Sequence, residues 1–205
     1  MTRGAGPVRF LLSAHAAAQW PSGGVPEVAF AGRSNVGKSS CLNTLVGQRG
    51  VARVSKTPGR TQAVNFFELT RKGGTLRLAD LPGYGFAQVP LAVKAGWERM
   101  VGGYLAGREP LALVVVLADL RRDPTPLDAQ MVRWLEEADV PGLLVLTKAD
   151  KVPKSRQHAQ RAAICRGLDV PIEASLLFSS VTRQGLDELW GRIDEAVAPT
   201  PDEDA

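Results

Sequence analysis

Gly32-Arg33-Ser34-Asn35-Val36-Gly37-Lys38-Ser39 fits the pattern G-x-x-x-x-G-K-[S/T]. The chemistry of that spacing is anion binding. Gly32 and Gly37 let the backbone bend so that consecutive N–H groups face inward, and the positive end of the following helix points at the same place. Lys38 reaches the β- and γ-phosphates of a nucleotide, and the Ser39 hydroxyl binds Mg²⁺. The pattern needs a strand before it and a helix after it. Glu27 to Ala31 is a short apolar run, and Lys38 to Val46 reads as a helix.

Asp80-Leu81-Pro82-Gly83 comes next, at the end of a later strand. Alone, an Asp before Pro-Gly is also an ordinary turn residue. Downstream of a phosphate loop, Asp80 fits a carboxylate that orients Mg²⁺ through water, and Gly83 fits a backbone N–H donor to the γ-phosphate. Thr147-Lys148-Ala149-Asp150 ends another apolar run. A carboxylate there accepts from N1–H and the exocyclic amine of guanine. Against adenine it would be left unpaired, at about 1–3 kcal/mol or more. The Lys148 stem can lie against the base plane. The bland reading of this segment is a polar loop with a helix cap. Phe178-Ser179-Ser180 closes the next strand, where a backbone N–H can bond the guanine carbonyl oxygen.

These loops must be positioned by a sheet. Leu111 to Ala118 and Gly142 to Leu146 are apolar on both faces, which predicts buried strands. Val64–Leu69 and Thr75–Ala79 flank Gly73-Gly74 and predict a hairpin. Leu91–Leu105, Leu127–Ala138, Lys154–Arg166 and Leu186–Val197 carry helical spacing, and Ile172–Ser179 ends in a strand. Strands alternating with helices predict an α/β fold: a three-layer domain with a mostly parallel six-stranded sheet, one antiparallel edge strand, and helices on both faces. Ligands of such sheets bind at the carboxyl ends of strands, where all four segments fall. Residues 1–26 read as an N-terminal extension, 27–197 as the domain itself, and 198–205 as a flexible acidic tail.

The 205 residues are 44% hydrophobic and 22% charged, an ordinary globular balance that excludes wholesale disorder. Two cysteines and two histidines exclude a disulfide scaffold and a Cys or His metal cluster. The longest apolar run, Leu111–Ala118, is far short of the ~20 residues that cross a bilayer. Met1 to Pro7 lacks a signal-peptide core, so the expected compartment is the cytoplasm, without membrane insertion. The net charge of +4 permits an acidic partner. Arg49, Arg53, Lys56 and Arg60 form a basic run with no acid among them; it is either a solvated run or an RNA contact.

The chain resembles the EngB/YihA (YsxC) family of translation-factor-related P-loop GTPases, in the branch that holds the TrmE, Era, EngA, EngB and septin-like proteins. The resemblance runs over roughly residues 8–197 and implies that the 1–26 extension packs on the domain. It is carried by Phe10 to His15, Pro26 to Ser40, Lys56-Thr57-Pro58-Gly59-Arg60-Thr61-Gln62, Asn65-Phe66-Phe67, Asp80 to Phe86, and Thr147 to Asp150. Lys56–Gln62 and Leu81–Phe86 are the parts that point to this family. It implies a cytoplasmic GTPase that helps assemble the large ribosomal subunit, touching its rRNA, with a family link to cell division and septation. It also implies that Thr61 binds Mg²⁺ in the GTP state and that Gly59, Arg60, Thr61, Gln62 and Ala63 lie against the nucleotide. Cys41-Leu42 departs from the usual aliphatic pair, and Cys41 reads as a packed helix residue.

In Ras-type enzymes a Gln just after the D-x-x-G glycine orients the attacking water. Here that position is Tyr84, so slow GTP hydrolysis is expected, with Lys38, Thr61 and Gly83 stabilising the phosphates. GTPases that resemble this one and use K⁺ carry Asn at the position of Asn35; the alternative is that Asn35 only shapes the turn. A GTPase scaffold acting directly on the division machinery is a second reading. A P-loop nucleotide kinase is a third, for which Arg121-Arg122 would have to serve as a lid. Neither DNA nor an assembly larger than a monomer is called for.

Overall fold

A computed structural model describes residues 6–52, 63–85 and 91–198. Among the described residues seven strands form one sheet: β1 (Val8–Ala14), β2 (Glu27–Gly32), β3 (Val64–Arg71), β4 (Gly74–Asp80), β5 (Leu111–Asp119), β6 (Gly142–Thr147) and β7 (Ser175–Leu177). Five helices accompany them: α1 (Lys38–Leu45), α2 (Leu91–Gly107), α3 (Pro126–Glu137), α4 (Lys154–Leu168) and α5 (Leu186–Ala196). The strand order is β1-β3-β4-β2-β5-β6-β7. β4, β2, β5, β6 and β7 pair in parallel, whereas β3 runs antiparallel to both β4 and β1.

The α/β three-layer arrangement is the one the sequence predicts. The strand count is seven rather than six, and the antiparallel strand β3 is not the edge. Val8–Ala14 takes the edge by laddering onto β3, from Val8 opposite Leu69 to Ala14 opposite Val64. A register shift between Phe10 and Leu12 breaks the alternation of faces, and Phe10 is exposed, so the segment carries no clean period of two. The stretch that follows β1 is also fastened down. Arg108 donates to Pro21 O at 2.9 Å, Arg77 donates to Ser22 O at 3.2 Å, and Trp20 packs edge-on against Tyr104.

The two-sided strands divide their side chains by parity. In β5, Val114, Val116 and Ala118 face a core closed by Val101, Tyr104 and Leu105 of α2, Met131 and Leu135 of α3, and Ile164, Cys165 and Leu168 of α4. Leu113, Val115 and Leu117 face the opposite core, closed by Cys41, Leu42 and Leu45 of α1 and Leu186, Leu189, Trp190 and Ile193 of α5. At the amino-terminal end of the sheet the fully buried Glu27 accepts from the Tyr104 hydroxyl and from Arg108 Nη2 (2.8 Å), which locks α2 to β2. The opposite, carboxyl ends are thereby left to the loops that carry chemistry.

Candidate nucleotide site

The phosphate loop leaves β2 at Gly32. A Cβ there would lie 3.0 Å from Leu117 O and 2.9 Å from Val36 Cγ1, so β5 and the loop itself demand glycine. Asn35 (φ 63°) and Gly37 (φ 113°) adopt left-handed backbone and swing the chain so that α1 begins at Lys38. The Thr147–Asp150 loop, the base loop of the sequence reading, holds this turn from outside. Thr147 Oγ1 lies 2.7 Å from Val36 O and 3.0 Å from Ala118 O, sharing one proton between them, and Lys148 Nζ donates to Asn35 O at 2.8 Å. Cys41 is fully buried in α1, and burial pushes its thiol pKa up, as a packed residue requires.

Lys38 Nζ forms an ion pair with Asp80 Oδ1. Asp80 ends β4 beside Phe30 of β2, so the sheet brings the two together, and both side chains are largely buried. Gly83 approaches the phosphate loop closely: a Cβ there would sit 3.4 Å from Ser34 Oγ and 3.5 Å from Gly32 O. The next residue joins the loop in a parallel bridge, with Ser34 N–H donating to Tyr84 O at 2.9 Å and Tyr84 N–H donating to Gly32 O at 3.3 Å.

Tyr84 itself turns into the core. Its hydroxyl donates to Asp128 Oδ1 at 2.9 Å and its ring meets Trp97 edge-on. Trp97 Nε1 in turn donates to Pro82 O at 3.0 Å. Asp128 also caps α3, accepting from the N–H and the hydroxyl of Thr125 at 2.8 and 2.7 Å. Burial first, and the Asp128 carboxylate second, push the Tyr84 phenol well above its ordinary pKa. It is a neutral donor whose proton is committed to Asp128.

Asp150 sits in a short 3₁₀ turn after β6. The Ser179 hydroxyl donates to its Oδ1 at 2.7 Å, and Lys151 Nζ lies 3.5 Å from Oδ2. The Ser179 bond holds the Asp150 carboxyl below the usual carboxylate range against the opposing effect of burial. Ser179 Oγ also accepts from the N–H groups of Val181 and Thr182. Phe178 N–H donates to Leu146 O at 2.8 Å and Ala149 N–H donates to Phe178 O at 3.1 Å, so the ends of β6 and β7 form one unit.

The structure therefore gathers Gly32–Ser39, Asp80–Gly83, Thr147–Asp150 and Phe178–Ser180 at the carboxyl ends of their strands. Gly59, Arg60, Thr61 and Gln62, with Arg53 and Lys56 of the basic run, lie outside the described residues. Ala63 is buried just before β3. The sequence reading missed two features: the Ser179 hydroxyl as a partner of Asp150, and Asp119, which ends β5 and bonds Lys148 Nζ at 3.0 Å. The available signal for Asp119 was its place at the carboxyl end of an apolar strand, which Asp80 shares. Arg121, weighed as a kinase lid, is instead bound to Asp119 at 2.8 Å. A polar cavity of about 220 Å³ adjoins the phosphate loop between Ser34, Asp119, Arg122 and Lys148. A larger apolar one, about 300 Å³, lies between α3 and the start of β6 near Leu135, Val140 and Val170.

A family model described as 50S ribosome-binding GTPase matches residues 27–148. The chain is 48% identical over 194 residues to the probable GTP-binding protein EngB of Syntrophotalea carbinolica, covering 95% of this chain and 92% of that one. It is 46% identical over 188 residues to the probable GTP-binding protein EngB of Streptococcus mutans, covering 91% and 94%. Among solved structures, a probable GTP-binding protein EngB superposes with a TM-score of 0.68 at 24% identity, over 85% of this chain and 100% of that chain. Aquifex aeolicus Era bound to GDP and AlF4⁻ gives 0.70 at 21% identity, over 86% and 58%. These two structural likenesses speak to the fold. Nearly half of all positions are shared with the EngB proteins along almost the full length of both partners, and on that ground the chain belongs to the EngB family of P-loop GTP-binding proteins.

Proposed function

We propose that this chain binds GTP with Mg²⁺ in the cytoplasm, hydrolyses it slowly, and uses the two nucleotide states as a switch in large ribosomal subunit assembly. The observation that supports the nucleotide reading best is the joining of phosphate and base loops through Lys148, whose Nζ meets Asn35 O at 2.8 Å. Gly32 to Ser39 receive the phosphates. Lys38 exchanges its ion pair with Asp80 for phosphate oxygens, and Gly83 supplies an N–H to the γ-phosphate. Gly59 to Ala63 lie along the nucleotide. Asp150 accepts from the guanine edge. The amides of Phe178 and Ser179 already bond Leu146 O and Gln184 O, which leaves that of Ser180 for the guanine carbonyl oxygen.

The donors at the phosphate end fit Mg²⁺. They are hard oxygens and few, as suits an ion that completes its shell with phosphates and water. Ser39 and Thr61 would hold the ion and Asp80 would hold it through water. Mg²⁺ neutralises charge on the β- and γ-phosphate oxygens when bound. Asn35, exposed beside the loop, is proposed as a K⁺ ligand. The commitment of Tyr84 to Asp128 removes it from the attacking water, which supports slow hydrolysis.

The ribosomal part is supported by the family description, 50S ribosome-binding GTPase, and by the basic run that begins at Arg49. The test is co-sedimentation with separated large and small subunits, in GDP and in a non-hydrolysable GTP analogue, at two salt concentrations. Binding to the large subunit with the analogue alone is the expected result. Binding to neither subunit would overturn the ribosomal reading in favour of a direct action on the division machinery.

A further inference from the structure

Asp119 ends β5 in the middle of the sheet, and its side chain is only 9% exposed. Both of its oxygens are engaged by cations. Lys148 Nζ donates to Oδ2 at 3.0 Å, Arg121 Nη2 donates to Oδ2 at 2.8 Å, and Arg121 Nε donates to Oδ1 at 2.9 Å. The Arg121 N–H adds a bond to Oδ1 at 3.1 Å. Burial pushes the Asp119 carboxyl up, and the bonds from Arg121 and Lys148 more than reverse this, so it stays ionised far below the usual carboxylate range.

Lys148 has no regular element to orient it. Its backbone is left-handed (φ 61°), between the end of β6 and a single 3₁₀ turn. A lysine stem with four rotatable bonds is then placed by what holds its tip. Two of the three ammonium protons are spoken for, one by Asn35 O and one by Asp119. Asn35 lies on the phosphate loop and Asp119 on β5, so the pair of bonds pins the tip of the stem between two fixed points.

We infer that Asp119 is a positioning residue for guanine nucleotide binding, acting through Lys148 by anchoring Nζ so that the lysine stem forms one wall of the base site. This rests on the assignment of Lys148 and Asp150 to the base. Arg121 is 41% exposed and shares the carboxylate without touching the phosphate loop, so it is a neighbour of this device and not part of it.

The test is a double-mutant cycle on the whole chain, read by titration with a fluorescent GDP analogue. The variants are Asp119→Asn, Lys148→Met, the two combined, and Arg121→Ala, each followed by thermal unfolding without nucleotide. Asp119→Asn is expected to weaken binding about tenfold, the order of one charge-assisted hydrogen bond. The double variant is expected to bind as Lys148→Met does, because a residue acting only through Lys148 has nothing left to position. Arg121→Ala is expected to stay within about twofold of wild type. Wild-type affinity in Asp119→Asn, multiplied losses in the double variant, or an equal loss in Arg121→Ala would each overturn the inference. A general structural defect would multiply in this way, so the cycle separates it from positioning. If Asp119→Asn does not fold, Asp119→Glu replaces it in the same cycle under the same criteria. A wild type with no preference for GDP over ADP would overturn the base assignment itself.

Discussion

The Ser179 hydroxyl donates a 2.7 Å hydrogen bond to Asp150 Oδ1, joining the end of β7 to the base loop after β6. The two residues are far apart in sequence, and the parallel pairing of Val145 with Leu176 sets their loops side by side. One carboxylate oxygen is thus occupied by the protein, and the carboxylate is turned by a fixed donor. Replacing Ser179 with Ala removes that donor and leaves two amides, those of Val181 and Thr182, without their acceptor. We expect GDP affinity to fall roughly 5–30-fold, the equivalent of about 1–2 kcal/mol. Titration with a fluorescent nucleotide checks it, and an unchanged Kd would remove Ser179 from the base site.

Asp150→Asn inverts the hydrogen-bonding sense of the group proposed to face the guanine edge. The variant should lose GTP and gain xanthosine triphosphate, which offers an acceptor where guanine offers the exocyclic amine. Competition between the two nucleotides on wild type and variant measures the exchange. Equal loss of both would show that Asp150 does not read the base.

Tyr84→Phe tests whether the residue after Gly83 has a chemical role. Asp128 keeps its bonds from Thr125, so the fold should survive with a loss of about 1–2 kcal/mol for the deleted bond. The single-turnover GTPase rate should stay within about twofold of wild type, as for a residue that makes no transition-state contact. A rate tenfold lower would place the phenol in the reaction.

Asp119 ties stability to pH. Its carboxyl is lowered in the folded chain, so its contribution is present above the unfolded value of about 3.9 and fades as the pH falls below it. The melting temperature of the wild type should therefore drop more steeply as the pH falls from about 4 to about 2 than that of Asp119→Asn, which has no charge to lose there. Parallel acid limbs in the two proteins would contradict the assignment.

Exchange of Na⁺ for K⁺ tests Asn35. A K⁺ ion near the phosphates offsets developing charge as an arginine finger does, and the GTPase rate should rise several-fold. Equal rates in the two salts would leave Asn35 as a turn residue, the role its left-handed backbone already serves.

The parts of this molecule that could be read in the sequence are those whose cause is local. The parity of Leu113 to Ala118 is visible because β5 is buried on both faces, and it yields the three layers directly. The phosphate loop is visible because Gly32 and Gly37 are forced by close approach and positive φ. Val8–Ala14 escaped as a strand because its backbone ladder with β3 places it there, while its register shift scrambles the side-chain pattern. Asp119 and the bond from the Ser179 hydroxyl to Asp150 escaped because the partners arrive through strand adjacency. A lone acid after β5 looks the same whether it faces water or holds Lys148.

Thr147 and Lys148 grip Val36 O and Asn35 O, so the chain's own side chains help shape the phosphate loop. Those bonds restrict the loop's conformations within the fold, which lowers the ordering cost that nucleotide binding meets at this end of the site. A substitution in the base loop therefore has two separable signatures. Loss of a direct contact to guanine raises the dissociation rate, whereas loss of the grip on Val36 and Asn35 slows productive capture of the phosphates.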